Sequence, residues 1–333
     1  MATTLVSGAA FGAALVAAGV HQPSVILGQL KFEDWHMLQS FLAAAATSSL
    51  VVVALDKLNI LHPKPRSASR LGLFGPYDGN ILGGALQGTG MALAAACPGT
   101  VIPQAAVGVP TGLYTLAGAF LGGVAWAGFL GPRLSTCAAS APPENPRLTV
   151  HERAGVSRAA GFLAFQATCA AAIYACATYA PPPRLAVIAP ALGGLFIGLS
   201  QLVSMVSRKA MLGVSGSYEE AGRLFLWLVR GARSDAIPAA RNVLFAVGVA
   251  AGAWALQAAN PAFAVSAAAQ VDGMSVSPLL AVAGGVFLAV GARMSGGCTS
   301  GHGISGMSMF STSSFVTIAS LFGTGALLNF FFR

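Results

Sequence analysis

The segment most informative about the architecture is PLLAVAGGVFLAVGARMSGGCTSGHGISG, residues 278–306. Its first part, 278–294, is an apolar run that as an α-helix would be about 26 Å long. Its second part, 295–306, holds five glycines in twelve residues and cannot continue as a stable spanning helix. Lipid cannot satisfy the polar groups of such a broken backbone. At membrane depth, therefore, it has to be buried in protein or face a wet cavity.

The composition extends this pattern to the whole chain. Of the 333 residues, 55% are hydrophobic and only 8% are charged, and the mean hydropathy is +0.72. A soluble domain carries about 25% charged residues, so this composition excludes a soluble protein. We therefore predict an all-α integral membrane protein with about nine transmembrane helices plus re-entrant half-helices. The predicted spans are 4–20, 36–56, 80–97, 111–131, 159–180, 184–206, 239–258, 278–294 and 312–332.

The basic residues predict the orientation and the partners. Lysine and arginine number 18 against 10 acidic residues, and 14 of the 18 lie in the connections 57–79, 132–158 and 207–241. With nine spans these connections share one side, which the positive-inside rule makes cytoplasmic. We expect the protein to lie in the cell membrane with its N-terminus in the cytoplasm. Its partner there is the lipid bilayer. The basic residues form no block suited to a phosphate backbone, so nucleic acid is not expected as a partner.

Two stretches of the chain repeat each other at an offset of 201 residues. The matched pairs are Gly83 and Gly284, Gly84 and Gly285, Gly90 and Gly291, and Cys97 and Cys298. We predict a first membrane repeat over 1–131, a linker and connecting transmembrane helix over 132–183, and a second, inverted repeat over 184–333. Interrupted helices at matching places in two inverted halves indicate a binding site near the membrane midplane.

The two breaks combine groups that suit a small anion. Half-helix N-termini favour negative charge, cysteine adds a polarisable sulfur with a weak S–H donor, and threonine and serine add hydroxyl donors. This chemistry suits a sulfur oxyanion that carries a terminal sulfur. The candidate substrate-binding residues are Cys97, Gly99, Thr100, Arg293, Cys298, Thr299, Ser300, Gly301 and His302.

Several of these side chains also admit a purely structural interpretation. His302 lies between glycines, where it could contact substrate, carry a proton or only tie down the loop. Arg293 near the end of a span is a functional hypothesis by default, because charge is costly inside a membrane. Cys169 and Cys176 are seven residues apart in an alanine-rich span, so we expect them to serve packing.

The motif at 297–306, GCTSGHGISG, strongly resembles the signature of the YeeE/YedE sulfur-transport family, and Cys97-Pro98-Gly99-Thr100 looks like its first-half counterpart. The resemblance implies thiosulfate uptake, an inverted repeat with half-helices meeting near the centre, and motif cysteines that line the substrate path. The family's thiosulfate transporter carries a third cysteine early in the first repeat. Here that break reads Gly19-Val20-His21-Gln22-Pro23.

Three functions remain open from the sequence. The first is a transporter of thiosulfate or a related sulfur anion, with a cytoplasmic sulfur-accepting protein as a further partner. The second is a membrane thiol enzyme, either a sulfurtransferase or an oxidoreductase, although such enzymes usually need a resolving cysteine and no CxxC pair is present. The third is a channel or transporter for another small anion. No cofactor or metal is expected.

Overall fold

The computed structural model describes residues 1–134, 147–183, 186–232, 237–264 and 276–332, and the regular elements in these ranges are all helical. Six helices are long and apolar enough to cross a membrane. These six are His36–Lys57, Gly112–Leu134, Arg158–Tyr179, Pro190–Arg208, Arg241–Ala259 and Thr312–Phe331. The prediction of a multi-pass helical membrane protein is confirmed, while the count of nine spans stays a prediction.

The α-helices follow one another with short connections. In chain order they are α1 Ala2–Ala17, α2 Pro23–Leu30, α3 His36–Lys57, α4 Asp78–Ala94, α5 Val101–Ala106, α6 Gly112–Ala125, α7 Val150–Ala154, α8 Arg158–Tyr179, α9 Pro190–Arg208, α10 Gly216–Val229, α11 Arg241–Ala259, α12 Pro278–Met294 and α13 Thr312–Phe332. A π-helical turn, Trp126–Leu130, extends α6, and a second π-helix, Ser300–Gly306, precedes α13. Residues 135–146 of the connection 132–158 lie outside the described residues.

Several helices end where the chain turns sharply, among them α1, α4, α9 and α12. The backbone takes a positive φ at Gly19 after α1, at Ala95 after α4, at Lys209 after α9 and at Gly296 after α12. A single residue in the left-handed conformation ends a helix, because the N–H groups that follow can no longer continue the regular pattern of helical hydrogen bonds. Helices α4 and α12, which precede the two cysteine motifs, have 17 residues each. The prediction of short helices that lead to these breaks is therefore confirmed.

The helices pack in reciprocal pairs across the two halves of the chain. Helix α1 packs along α11 while α9 packs along α3, and α4 packs along α13 while α12 packs along α6. Helices α4 and α12 also pack on each other. Glycines lie at these crossings, and a Cβ on Gly83 would stand 2.6 Å from the carbonyl oxygen of Gly291. Small residues let the backbones approach closely, which is how helices associate when lipid removes the hydrophobic drive between them.

Helix α8 stands apart from these pairs. It packs mainly against α3, and of its own residues Cys169 is the buried one while Cys176 is half-buried. An apolar helix with most of its side chains exposed is suited to contact with lipid, because the hydrocarbon core of the bilayer can surround these side chains. The burial of Cys169 agrees with a packing role, which stays a prediction for both cysteines.

Candidate functional site

The first cysteine motif forms a tight turn between α4 and α5. Ala95, with a φ of 51°, ends α4, and α5 starts at Val101 after the turn. The Cys97 N–H donates to Thr100 Oγ1 at 2.9 Å, and the Thr100 N–H donates to the Cys97 carbonyl at the same distance. These paired bonds satisfy backbone groups that the broken helix would otherwise leave unpaired. Thr100 therefore fixes the position of the Cys97 backbone.

The second cysteine motif leads into the π-helix Ser300–Gly306. The His302 N–H donates to the Cys298 carbonyl at 2.7 Å, and Cys298 Sγ shares a hydrogen bond with Ser300 Oγ at 3.2 Å. Gly303 lies against the ring of Phe41 on α3 so closely that a Cβ there would collide with it. The glycines of the motif thus allow the π-helix to pack tightly on its neighbours, and π-helical turns occur often at functional sites.

The two motifs contribute to one cavity of about 40 Å³. The motif residues that line it are Cys97, Gly99, Thr100, Thr299, Ser300 and Ile304. The remaining walls are mostly apolar side chains from α1, the turn after it, α3 and α9, namely Phe11, Leu15, Val20, Met37, Phe41, Ala44 and Ile197, together with Ser40. The structure therefore brings five of the nine sequence-predicted residues to one shared space.

Cys298 lies beside this cavity and is fully buried. Ser300, which lines the cavity, is its hydrogen-bond partner. A Cβ on Gly99 would stand 3.6 Å from Ser300 Oγ and 3.7 Å from Cys97 Sγ, while Cys298 Sγ lies 3.2 Å from the same hydroxyl. Gly99 of the first motif and Ser300 of the second are therefore neighbours, and each lies close to the cysteine of its own motif.

None of the described residues that line the cavity carries a charged side chain, so this part of the lining is electrically neutral. Thr299 is 3% exposed, and its Oγ1 has no hydrogen-bond partner among the described residues. A buried hydroxyl without a partner is unusual in a folded protein, because the lost hydrogen bonds to water are not replaced. Thr299 is therefore a lining residue whose buried hydroxyl has no partner among the described residues.

Arg293 lies outside the lining of this cavity. Its guanidinium forms an ion pair with Glu219 of α10, and Glu219 also pairs with Arg223 one helical turn away on its own helix. Glu219 is buried, whereas the Arg223 side chain is 60% exposed. The Glu219 carboxylate thus balances the charge of Arg293. The ion pair between the two side chains anchors α12 to α10.

Two further predicted residues, His302 and Gly301, belong to the second motif but are not among the described residues that line the cavity. The His302 ring joins Ser314 Oγ at 3.0 Å through Nδ1 and the Ser295 carbonyl at 3.1 Å through Nε2. A carbonyl only accepts, so Nε2 carries a hydrogen and the ring ties the motif to α13. Gly301 lies against Cys298 Sγ on one hand and the guanidinium of Arg66 on the other.

Sequence reasoning missed two side chains of this region. Tyr218 of α10 donates from its hydroxyl to the Pro98 carbonyl at 2.7 Å and is 3% exposed. Arg66, which the sequence marks only as one basic residue of a connection, reaches the Gly296 carbonyl with Nη1 at 2.9 Å. An aromatic residue in an amphipathic segment, or an arginine in a loop, carries no local signal of such distant contacts.

The break at 19–23 approaches the first cysteine motif. Val20 lines the cavity, and the His21 ring beside it is buried. Gln104 Nε2 of α5 donates both to the His21 carbonyl at 2.8 Å and to the Ala95 carbonyl at 3.0 Å. One amide thus links the two breaks of the first half of the chain.

Comparison with known proteins identifies the family. A family model described as "Sulphur transport" matches residues 17–328. Two proteins of Xylella fastidiosa, from strain 9a5c and from strain Temecula1 / ATCC 700964, are each named "Probable transporter" and are each 33% identical over 130 residues. That alignment covers 39% of this chain and 83% of each relative. Because the family model spans nearly the whole chain, both cysteine motifs included, the chain belongs to the sulphur transport family.

Proposed function

We propose that this protein transports thiosulfate or a related sulfur-containing anion along a central path between its two cysteine motifs. The observation that carries the proposal is the single cavity to which both motifs contribute, with Cys97, Thr299 and Ser300 among its lining residues. The family and the names of the two relatives support a membrane transporter. The sulfur and hydroxyl groups of the cavity support the class of substrate.

The cavity chemistry favours a soft anion over a hydrated inorganic one. The Cys97 thiol offers a weak S–H donor and a polarisable sulfur, which suits contact with the terminal sulfur of thiosulfate. The Thr299 and Ser300 hydroxyls suit its oxygens. Helices α5 and Ser300–Gly306 have only six and seven residues, so their dipoles are weak and side-chain donors supply most of the recognition.

Transport requires the two motifs to separate and close again. A cavity of about 40 Å³ holds roughly three water-sized groups, so a larger anion passes only when the walls move. Weak hydrogen bonds from thiols and hydroxyls suit this task, because a site on a transport path has to release what it binds. The thiols act as neutral donors, since a thiolate would repel the anion, and no covalent step is needed.

The same proposal includes the architecture and the orientation of the chain. We propose that 1–131 and 184–333 are inverted repeats joined by 132–183. The reciprocal packing supports this relation, because each helix contact has an equivalent in the other half. The contact of α1 with α11 corresponds to that of α9 with α3, and the contact of α4 with α13 corresponds to that of α12 with α6. We place the basic connections 57–79, 132–158 and 207–241 in the cytoplasm together with the N-terminus.

Uptake of radiolabelled thiosulfate by cells that express the chain tests the proposal. Cys97→Ala and Cys298→Ala each remove one sulfur, and we expect uptake to fall about five- to tenfold, since one lost donor costs about 1 kcal/mol or slightly more. Cys169→Ala is the matched control, because this thiol is also buried but lies on the lipid-facing helix α8. Wild-type uptake in both motif variants would reject the proposal.

Mass spectrometry separates transport from thiol chemistry. A sulfurtransferase would move the terminal sulfur of thiosulfate onto a cysteine thiolate, forming a persulfide and releasing sulfite. A transporter leaves the protein unchanged. We therefore expect purified protein that has been exposed to thiosulfate to keep its original mass, whereas a stable persulfide on Cys97 or Cys298 would favour the enzyme.

A further inference from the structure

Two buried histidines meet at the break 19–23. His21 lies in the turn between α1 and α2, His36 is the first residue of α3, and each is 1% exposed. A charge on the His36 ring would act on the His21 ring, so the two imidazoles are close in space. A Cβ on Gly19 would stand 3.3 Å from the Cε1 of His36, which places this ring directly on the break. Ionisable side chains inside a membrane protein are costly, and they commonly mark substrate or proton pathways.

Hydrogen bonds satisfy these two rings only in part. His36 Nε2 is 2.6 Å from the Ala18 carbonyl oxygen, so this nitrogen carries the hydrogen, because a carbonyl only accepts. In the neutral ring His36 Nδ1 then holds a lone pair, and it has no hydrogen-bond partner among the described residues. The Leu15 carbonyl approaches the His21 ring, yet neither nitrogen of that ring makes a hydrogen bond of normal geometry with a described residue. The pair therefore offers a nitrogen that can take up one more proton.

The histidine pair lies between the cavity of the two cysteine motifs and the protein surface. Val20 next to His21, and Met37 next to His36, both line that cavity. Toward the surface, the half-buried Asp34 accepts a hydrogen bond through Oδ1 from the backbone N–H of His36 at 2.8 Å. None of the ion pairs in the described chain includes Asp34. Its carboxylate can thus accept a proton from water and pass it to the histidine pair.

Few other titratable groups surround the pair. Among the described residues, the groups that face the two rings are each other and Asp34. Of the elements around the break, α1, α2, α5 and α13 carry no titratable side chain, and the turn after α4 adds the Cys97 thiol. Asp78 of α4 and Arg208 of α9 lie at the ends of their helices that are far from the break. A proton on the histidine pair thus supplies positive charge on this side of the cavity.

We propose that His21 and His36 form a proton-binding site that couples uptake of the anion to the entry of one proton. A divalent anion between uncharged walls and a lone buried imidazolium are each unfavourable, but bound together each offsets the cost of the other. Two adjacent imidazolium ions repel each other, so the pair takes a single proton. The proton binds to an imidazole nitrogen when the site faces one side of the membrane. It leaves to water together with the anion when the site faces the other. This coupling rests on the proposed function.

The full-length protein in vesicles of phosphatidylethanolamine and phosphatidylglycerol tests the coupling. The vesicles hold a pH-sensitive dye, and a potassium ionophore clamps the membrane potential. Radiolabelled thiosulfate is added outside without a pH gradient, and its uptake is measured beside the internal pH. We expect the wild type to bring in about one proton per thiosulfate, since the pair takes a single charge. Its uptake should rise about threefold or more as the pH on both sides falls from about 8 to about 6, because histidine takes up its proton in this range.

His21→Gln and His36→Gln each keep a polar side chain of similar reach but cannot hold the proton. We expect the ratio of protons to thiosulfate to fall about fivefold or more in each variant, and the stimulation by acid to disappear. A merely structural role would lower both fluxes together and leave their ratio unchanged. His62→Gln is the matched control, because the His62 side chain is 62% exposed in the connection after α3.

Each outcome decides between the coupling and its alternatives. Wild-type uptake of thiosulfate without proton entry overturns the coupling and leaves the proposed transport standing, whereas a wild type that takes up no thiosulfate overturns both. An unchanged ratio in the two histidine variants, or an equal fall in His62→Gln, overturns the site. A folded variant without net uptake is assayed by exchange of labelled for unlabelled thiosulfate, which moves no net proton. Retained exchange supports the site and lost exchange overturns it. If neither variant folds, the wild-type ratio and its pH profile decide.

Discussion

Gly90 of α4 and Gly284 of α12 each occupy the space that a side chain on the other would need. A Cβ on Gly90 would stand 2.7 Å from the Gly284 carbonyl oxygen, and a Cβ on Gly284 would stand 2.9 Å from the Gly90 carbonyl oxygen. Gly83 and Gly291 repeat the relation at 2.6 Å in both directions. This exchange between antiparallel helices is what a two-fold axis at their crossing would produce, which supports the proposed inverted repeat.

This crossing leads to a prediction on stability. Gly90→Ala places its methyl group against backbone atoms of α12, which cannot turn away as a side chain would. We expect a loss of about 1–3 kcal/mol in the free energy of unfolding, the usual cost of overpacking. Thermal unfolding of the purified protein in detergent measures it.

Gly323→Ala on α13 is the matched control for this substitution. Nothing lies within 4 Å of the Cβ that it adds. The same change should therefore be neutral, or stabilising by about 0.5–1 kcal/mol because alanine orders more easily than glycine in a helix. Equal melting temperatures for the two variants would contradict the close packing of α4 on α12.

The unused hydroxyl of Thr299 leads to a prediction that separates binding from stability. Thr299→Val keeps the shape but removes a buried Oγ1 that has no partner among the described residues. We expect the melting temperature to stay the same or to rise, because no hydrogen bond within the protein is lost. If the hydroxyl donates to the anion, KM for thiosulfate uptake should rise about fivefold, the equivalent of about 1 kcal/mol.

Thr100→Val provides the contrast on the other motif. Thr100 Oγ1 accepts from the Cys97 N–H and also donates to the Cys97 carbonyl at 3.2 Å. The variant leaves a buried backbone N–H without its partner, so the melting temperature should fall. A similar fall in Thr299→Val would show that both hydroxyls serve the fold alone.

The short helices and their breaks could be predicted from the sequence because their causes are local. A run of apolar residues followed by Cys97-Pro98-Gly99, or by the glycines after Ser295, ends a helix whatever surrounds it. That the two motifs share one cavity could also be predicted from the sequence, since the repeat places both breaks at matching positions. Five of the six motif residues that line the cavity were among the candidates named from the sequence, and Ile304 was not.

The partners of charged side chains could not be predicted in this way. The sequence places Arg293 beside a break and so indicates a role toward substrate, but its partner Glu219 lies on another helix, 74 residues earlier. Arg66 likewise meets the Gly296 carbonyl across 230 residues of chain. Such contacts depend on how helices are arranged in space, and a pattern within one segment holds no information about that arrangement.

The ion pair of Arg293 gives a third prediction. Glu219→Gln keeps the shape of the side chain but removes the negative charge between Arg293 and Arg223. Arg293, whose side chain is 28% exposed, then keeps its charge without a counterion, so we expect a loss of stability of about 2 kcal/mol. Arg223→Gln should cost less than about 1 kcal/mol, since that side chain is mostly in solvent. Equal effects of the two changes on the melting temperature would refute the anchoring role of Arg293.

The hydroxyl of Tyr218 gives the last prediction, which concerns how α10 holds the first cysteine motif. Tyr218→Phe keeps the buried ring but leaves the Pro98 carbonyl without the donor that now lies 2.7 Å away. We expect a loss of about 1–2 kcal/mol of stability and a fall in thiosulfate uptake, because the turn that positions Cys97 is then less firmly held. Tyr174→Phe on α8 is the control, since that side chain is 68% exposed. If Tyr218→Phe melted and transported like the control, the Pro98 contact would have no part in positioning the motif.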